Sequence, residues 1–301
     1  MPNREVAVVG DTTCSFSPES KEAQELDIHL LPVSVHFEIE GKPFTYEDRG
    51  QDPAEFYRLM KKAKELPTTD SSVLGQSIEL YPKLAEHASG IIAIHASTGV
   101  KAAAVDSAHV AIERTKDQIE QINPELTIEV IDSKRLSLPL WWMLEQAAKS
   151  AEQGKSLEEI KMQVLEMIPQ TQLLVGLSTY KNLVKGGRVA IAKSWAAIAI
   201  QAFPVLGIHT DGGEAKGIGK VRTKKKIPRY MAEYVQKNVD TTQEIVKLGV
   251  LHTNAPGMAE DLVAKLDPIY PQENIIVKDI GGSAISVHTG EGAVGVAFWA
   301  K

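Results

Sequence analysis

The chain has 301 residues, 43% of them hydrophobic and 24% charged, which is enough apolar material for one or two globular domains of ordinary size. Its net charge is −6 and its pI about 5.8, which argues against a general role on nucleic acid or on an anionic membrane. The single cysteine, Cys14, excludes an internal disulfide and fits a reducing, cytoplasmic setting.

The opening MPNREVAVVG runs into an apolar stretch of strand length and lacks the longer apolar core of a signal peptide. EVAVVG predicts a buried strand ending at the polar loop DTTCSFSP. IHLLPVSVHFEIEGKPFTYED predicts a strand and a hairpin that turns at Glu40-Gly41-Lys42. Asp52-Pro53-Ala54-Glu55 combines a cap, a proline at the first helical position and a returning glutamate, so FYRLMKKAKEL continues as a helix. GIIAIHA and TIEVIDS predict two more strands, separated by a helix from Lys101 to Ile122. Repeated strand–helix alternation implies a parallel sheet covered on both faces, a domain spanning residues 1–152. Ligands of such sheets sit in loops beyond the carboxyl ends of the strands. Those loops are DTTCS, PTTDSS, HASTG and IDSKR, all rich in hydroxyls.

Gly154-Lys-Ser-Leu-Glu-Glu159 reads as a junction, with Ser156 and Glu159 spaced as a capping box. Beyond it TQLLVGLST, FPVLGIHT, AKGIGKV, EIVKLGVLHT, NIIVKDI and AISVHTGEGAVGVAFW read as strands with irregular helical insertions. They predict a mixed or antiparallel sheet in a second domain, residues 153–301. The fold class is therefore α/β, with no internal repeat. SWAAIAIQAFPVLGIHT carries no charged side chain, yet Gln201, Pro204 and His209 interrupt it and it is too short for a membrane span.

Gly290-Glu-Gly-Ala-Val-Gly295 matches GxGxxG, but a dinucleotide turn needs a following helix and a later acidic residue. Here a strand-like run follows, so the glycines read as a hairpin or as backbone that lets His288 meet a ligand. GIGK fails as a P-loop, since Glu214 stands where a glycine is required and Val221 where Ser or Thr is required. Cys14 has no signature linking it to a base, and no group has zinc or EF-hand spacing, so neither metal nor cofactor is expected. Five basic residues between Lys220 and Lys226 form either a solvated face or a surface for an anionic protein partner. What remains is Thr12, Thr13, Thr68, Thr69, Ser71, Ser72, Ser97 and Thr98 on one sheet face, with Arg188 and His288 available from the second domain. Neutral donors with one or two cations suit a small anionic head group, and an apolar tube behind them would hold a lipid-like acid.

The motifs, taken in order, resemble the DegV family. Asp11-Thr12-Thr13, LPVSVHFEIEGKPFTYED, LPTTDSS, IHASTGVKAAAVDSA, VIDS, LVKGGRV, FPVLGI with DGGEAKGIGKVRTKKK, GVLHTNAP and VHTGEGAVGV follow the family order across essentially the whole chain. The resemblance implies a two-domain protein that holds one long-chain fatty acid between its domains and presents the carboxylate to a separate ATP-binding fatty acid kinase. It implies no catalytic residue and no nucleotide site in this chain. By position, Thr69 matches the loop threonine on the carboxylate, Ser97 and Thr98 the paired serines, His288 the head-group histidine, and Arg188 the arginine after two glycines; Thr13 lies in the matching first loop. Arg222 matches an arginine implicated in kinase docking. Two departures bear on the lipid-binding set: Asp70 replaces a serine, and Lys101 opens the Lys-Ala-Ala that replaces Ser-Gly-Thr. An ionised Asp70 at the head group repels a carboxylate, so Asp70 and Lys101 are expected to form a compensating pair at the mouth. Two other readings stay open: an enzyme on a small anionic substrate using Asp11, Asp70, Asp132 or His288, and an interaction protein with a vestigial pocket.

Overall fold

The computed structural model describes residues 5–187, 202–208, 212–239, 242–281 and 284–301. The first half runs β1 (Val6–Asp11), α1 (Lys21–Glu25), β2 (Ile28–Leu31), β3 (Ser34–Ile39), β4 (Lys42–Glu47) and α2 (Pro53–Lys62). It continues through β5 (Thr68–Asp70), α3 (Leu74–Ala85), β6 (Gly90–His95), α4 (Ala104–Ile122), β7 (Thr127–Asp132) and α5 (Leu138–Glu152). The second half runs α6 (Leu157–Gln170), β8 (Thr171–Gly176), α7 (Lys181–Lys185), β9 (Phe203–Ile208), β10 (Lys216–Val221) and α8 (Ile227–Asn238). It ends with β11 (Ile245–His252), α9 (Pro256–Leu266), β12 (Ile276–Asp279), α10 (Ala284–Thr289) and β13 (Val294–Ala300).

The α/β class holds. β2-β1-β6-β7 form a four-stranded parallel sheet, and β10-β9-β8-β13-β11-β12 a six-stranded mixed sheet in which only β11 and β12 run parallel. The central strands β1 and β6 are near-continuous apolar runs because both faces are covered, whereas the edge strand β7 carries Thr127 and Glu129. Ile92 and Ile94 join the α5 side of the core, while Ile91 and Ala93 pack with Tyr81 of α3 and Ala104 of α4.

Local signals act as the sequence implies. Asp52 Oδ1 accepts the Ala54 amide at 2.9 Å, starting α2, and Ser156 and Glu159 form a complete capping box at α6. The β3–β4 hairpin turns through Glu40 (φ 55°) and Gly41 (φ 75°), two left-handed residues whose twist matches the flanking strands.

Two segments depart from expectation. Thr68–Asp70 is not a loop of the parallel sheet but strand β5, paired antiparallel with β3 in a separate sheet of order β4-β3-β5. The two threonines favour a strand, but three residues after Pro67 are too few to signal one, so pairing decides. AISVHT is helix α10 rather than strand: Ala284 and Val287 bury one face at helical spacing despite the β-branched residues, and Gly290 (φ 76°) stops the helix. The terminal glycines therefore serve a helix stop, a left-handed turn at Gly292 (φ 87°) and a strand position, where a Cβ on Gly295 would come within 2.9 Å of the Leu174 carbonyl.

The centre of the molecule is α5, whose positions from Leu138 to Leu144 are all buried. A helix apolar on every side must be covered on every side. It contacts β1 and β6 of the first sheet and β8 and β13 of the second, so one core cluster contains Val8 and Ile94 together with Leu173 and Ala297. Leu144, fully buried, is expected to cost about 2–5 kcal/mol of stability when changed to Ala in urea unfolding, whereas Met162→Ala, 48% exposed on α6, should change stability by less than about 0.5 kcal/mol.

Candidate functional site

The loops after β1, β6 and β7 are pinned by two carboxylates. Asp11 is wholly buried; its Oδ1 accepts the Thr13 amide at 3.1 Å and the Thr13 hydroxyl, and its Oδ2 accepts His95 Nδ1 at 3.0 Å and the Ala96 amide at 3.1 Å. Burial raises such a carboxyl, but His95, the Thr13 hydroxyl and the Ala96 amide together outweigh it and hold Asp11 below the usual carboxylate range. Asp132 is likewise held low against desolvation, by Lys134 Nζ at 2.7 Å, the Thr98 hydroxyl at 2.6 Å and the Lys134 amide at 2.9 Å. Ser97 Oγ accepts the Gly99 amide at 3.1 Å and donates to the Gly213 carbonyl at 3.0 Å. Gly213 (φ 69°) is pressed so closely on Ser97 and Lys134 that a Cβ there would collide with both.

A cavity of about 110 Å³ lies beside these loops. Its polar lining is Thr13, Thr69, Ser71, His288 and Thr289; its apolar lining includes Leu136, Val175, Leu183, Leu206, Ile208 and Ile285. Thr69 Oγ1 on β5 and His288 Nε2 on α10 stand 3.0 Å apart, joining the two halves of the chain across the cavity. Gly186 admits the imidazole, because a Cβ there would lie 2.5 Å from His288 Nδ1.

Thr13, Thr69 and His288, expected at the site, thus line one cavity. Asp70, Ser97, Thr98 and Lys101 do not. Ser97 and Thr98 are spent on Gly213 and Asp132. The Asp70–Lys101 pair does not form: Asp70 Oδ1 accepts the Ser72 amide at 2.7 Å, and Lys101 Nζ reaches the Gly187 carbonyl at 3.4 Å. Strand alternation supplies the reason, since side chains one residue apart point to opposite faces. Thr69 turns to the cavity and Asp70 to solvent, so no charge at the mouth needs compensation. Arg188 and most of SWAAIAIQAF lie outside the described residues. Arg222 is exposed just past β10, beside the exposed Lys225 and Lys226. Ser71, one of the loop hydroxyls picked out from the sequence though not matched to a family position, lines the cavity just past the end of β5, whereas Thr289 was not picked out. Among the described residues no group of three or more His, Cys, Asp or Glu could hold a metal ion, and no helix is long and apolar enough to cross a membrane.

The family model described as "Uncharacterised protein, DegV family" matches residues 5–301. The chain belongs to the DegV family. Solved DegV structures share its fold across nearly their full length. A DegV family protein from Thermus thermophilus, solved for its fatty acid binding, is 19% identical with a TM-score of 0.83, covering 99% of this chain and 100% of that one. DegV of Bacillus subtilis, a fatty acid binding protein, is 26% identical with a TM-score of 0.78, at 99% and 100% coverage. The fatty acid kinase (Fak) B3 protein of Streptococcus pneumoniae, loaded with linoleic acid, is 18% identical with a TM-score of 0.78, at 98% and 99% coverage.

One further carboxyl supports the first loop. Asp48 is 9% exposed, and its burial pushes it up to about 7 against the opposing Thr12 hydroxyl. A carboxyl raised on folding binds its proton more tightly in the native state, so stability falls as pH rises from the unfolded value near 4 towards 7. Asp48→Asn is expected to be more stable than the parent at pH 8, on the order of 3 kcal/mol, with the difference vanishing near pH 4 in paired urea titrations.

Proposed function

We propose that this DegV family chain binds a long-chain fatty acid, with the acyl tail against the apolar wall and the carboxylate at the Thr69–His288 end of the cavity. The observation that carries the reading is a cavity lined mainly by aliphatic side chains in which a threonine and a histidine from opposite halves meet at 3.0 Å. Burial of the tail supplies most of the affinity, about 0.8 kcal/mol per methylene. The cavity of about 110 Å³ is smaller than one of about 150 Å³ that accepts benzene, so a long chain must spread its walls. We take residues 1–152 and 153–301 as the two units, with the ligand between them.

The kinase-associated relative from Streptococcus pneumoniae supports a second part of the reading. This chain acts as a binding subunit that presents the carboxylate to an ATP-binding fatty acid kinase, without a cofactor of its own. The exposed run around Arg222 supplies the docking surface, a cationic patch on a chain of net charge −6. The lone buried Cys14 fits a cytoplasmic setting. The enzyme reading finds less support, because Asp11 and Asp132 are saturated by structural donors and are not available as acid or base.

Mass spectrometry of lipids extracted from the purified protein should return stoichiometric fatty acid; protein that carries none and takes up none on reconstitution would sink the reading. Thr69→Val should weaken fatty acid binding by about 1.5–3 kcal/mol in calorimetry, the range for a hydrogen bond to a charged group. Arg222→Glu should leave lipid content intact and weaken capture of the kinase, more so at low salt.

A further inference from the structure

Resting on the fatty-acid reading, we infer that Ser71 is the second head-group donor, acting with Thr69, and that the chain thereby selects a free carboxylate over an ester of the same acyl length. The inference comes from where each hydroxyl proton on the cavity wall goes. A hydroxyl has one proton to give, and an ionised carboxylate only accepts. Thr13 gives its proton to Asp11, and Thr289 gives its own to the Ile285 carbonyl at 3.0 Å. Ser97 and Thr98 give theirs to Gly213 and Asp132, away from the cavity. Thr69 meets His288 Nε2, and when that nitrogen carries the proton the Thr69 hydroxyl is left to donate.

Ser71 differs from all of these. Its Oγ accepts the Ala103 amide at 2.9 Å, which fixes the oxygen in place through a lone pair and leaves the O–H uncommitted among the described residues. The same bond closes the N-terminal end of α4, a helix of 19 residues whose Ala103 cap has no side-chain acceptor of its own. Its positive end favours an anion beside Ser71. Thr69 in β5 and Ser71 just past its end lie on either side of Asp70, and both line the cavity. Two positions apart in the chain, their Cα atoms are at most about 7 Å apart, a span one carboxylate bridges with a hydrogen bond at each oxygen. An ester can accept from both hydroxyls, but without the charge that makes such bonds strong.

The test measures palmitate and methyl palmitate binding to delipidated protein by calorimetry, for the parent, Ser71→Ala and Ser71→Thr. Ser71→Ala is expected to lose roughly ten- to a hundredfold in palmitate affinity but only about a few fold for the methyl ester, which makes a neutral hydrogen bond there, and Ser71→Thr to recover the preference. Ester binding in the same samples reports that the cavity has folded. A parental palmitate-to-ester ratio in Ser71→Ala overturns the assignment. So does a crystal structure of the parent with palmitate in which the carboxylate lies beyond hydrogen-bond reach of Ser71 Oγ, a measurement that needs no variant. A parent that binds neither ligand instead brings down the fatty-acid reading itself.

Discussion

The structure depends on one helix being buried between two sheets. α5 carries Leu, Trp and Met on every side, and only a position between two apolar faces can satisfy that composition. Its approach is made possible by glycines: a Cβ on Gly10 of β1 would come within 2.6 Å of Leu144, and one on Gly249 of β11 would collide with Leu138. The spacing between the sheets is therefore set by backbone meeting side chain. The carboxyl ends of the parallel strands are held opposite the second sheet as a consequence, and the cavity is the space left between them.

Around that space the chain uses carboxylates as internal rivets. Asp11 and Asp132 each gather donors from neighbouring loops, and their charge is stable in the interior because those donors replace water. This has a chemical consequence for the cavity wall. A hydroxyl that gives its proton to a rivet cannot give it to a ligand, so loops rich in Ser and Thr offer fewer free donors than their composition suggests. Asp11 also places a fixed negative charge behind Thr13, whose own hydroxyl then turns only lone pairs towards the cavity. An anionic head group is better placed at the Thr69 end.

The two halves touch across the cavity through small polar contacts as well as the shared core. Thr69 meets His288, and Ser97 meets Gly213. Each is a single hydrogen bond, worth about 1 kcal/mol net, whereas the α5 core contributes many times that. Beside His288, Val287 packs among Phe37, Phe56 and Tyr57, and Tyr57 donates to Asp279 at 2.8 Å, so apolar burial joins the halves on this side as well.

The sequence by itself determined the α/β class, the hairpin at Glu40-Gly41, the starts of α2 and α6, and the failure of both nucleotide motifs, because each rests on periodicity or on chemistry between near neighbours. It also picked out Thr13, Thr69 and His288 through the order of family motifs. The direction of Asp70 was decided only by tertiary structure: β5 exists because β3 lies beside it, and that pairing sends Thr69 to the cavity and leaves Asp70 exposed. The helix at Ala284–Thr289 was decided the same way, by burial against neighbours that outweighed β-branched propensity. The fate of Ser97 and Thr98 needed the fold as well, since their partners Gly213 and Asp132 lie 116 and 34 residues away. Which hydroxyls stay free is a property of distant contacts, and no local pattern encodes it.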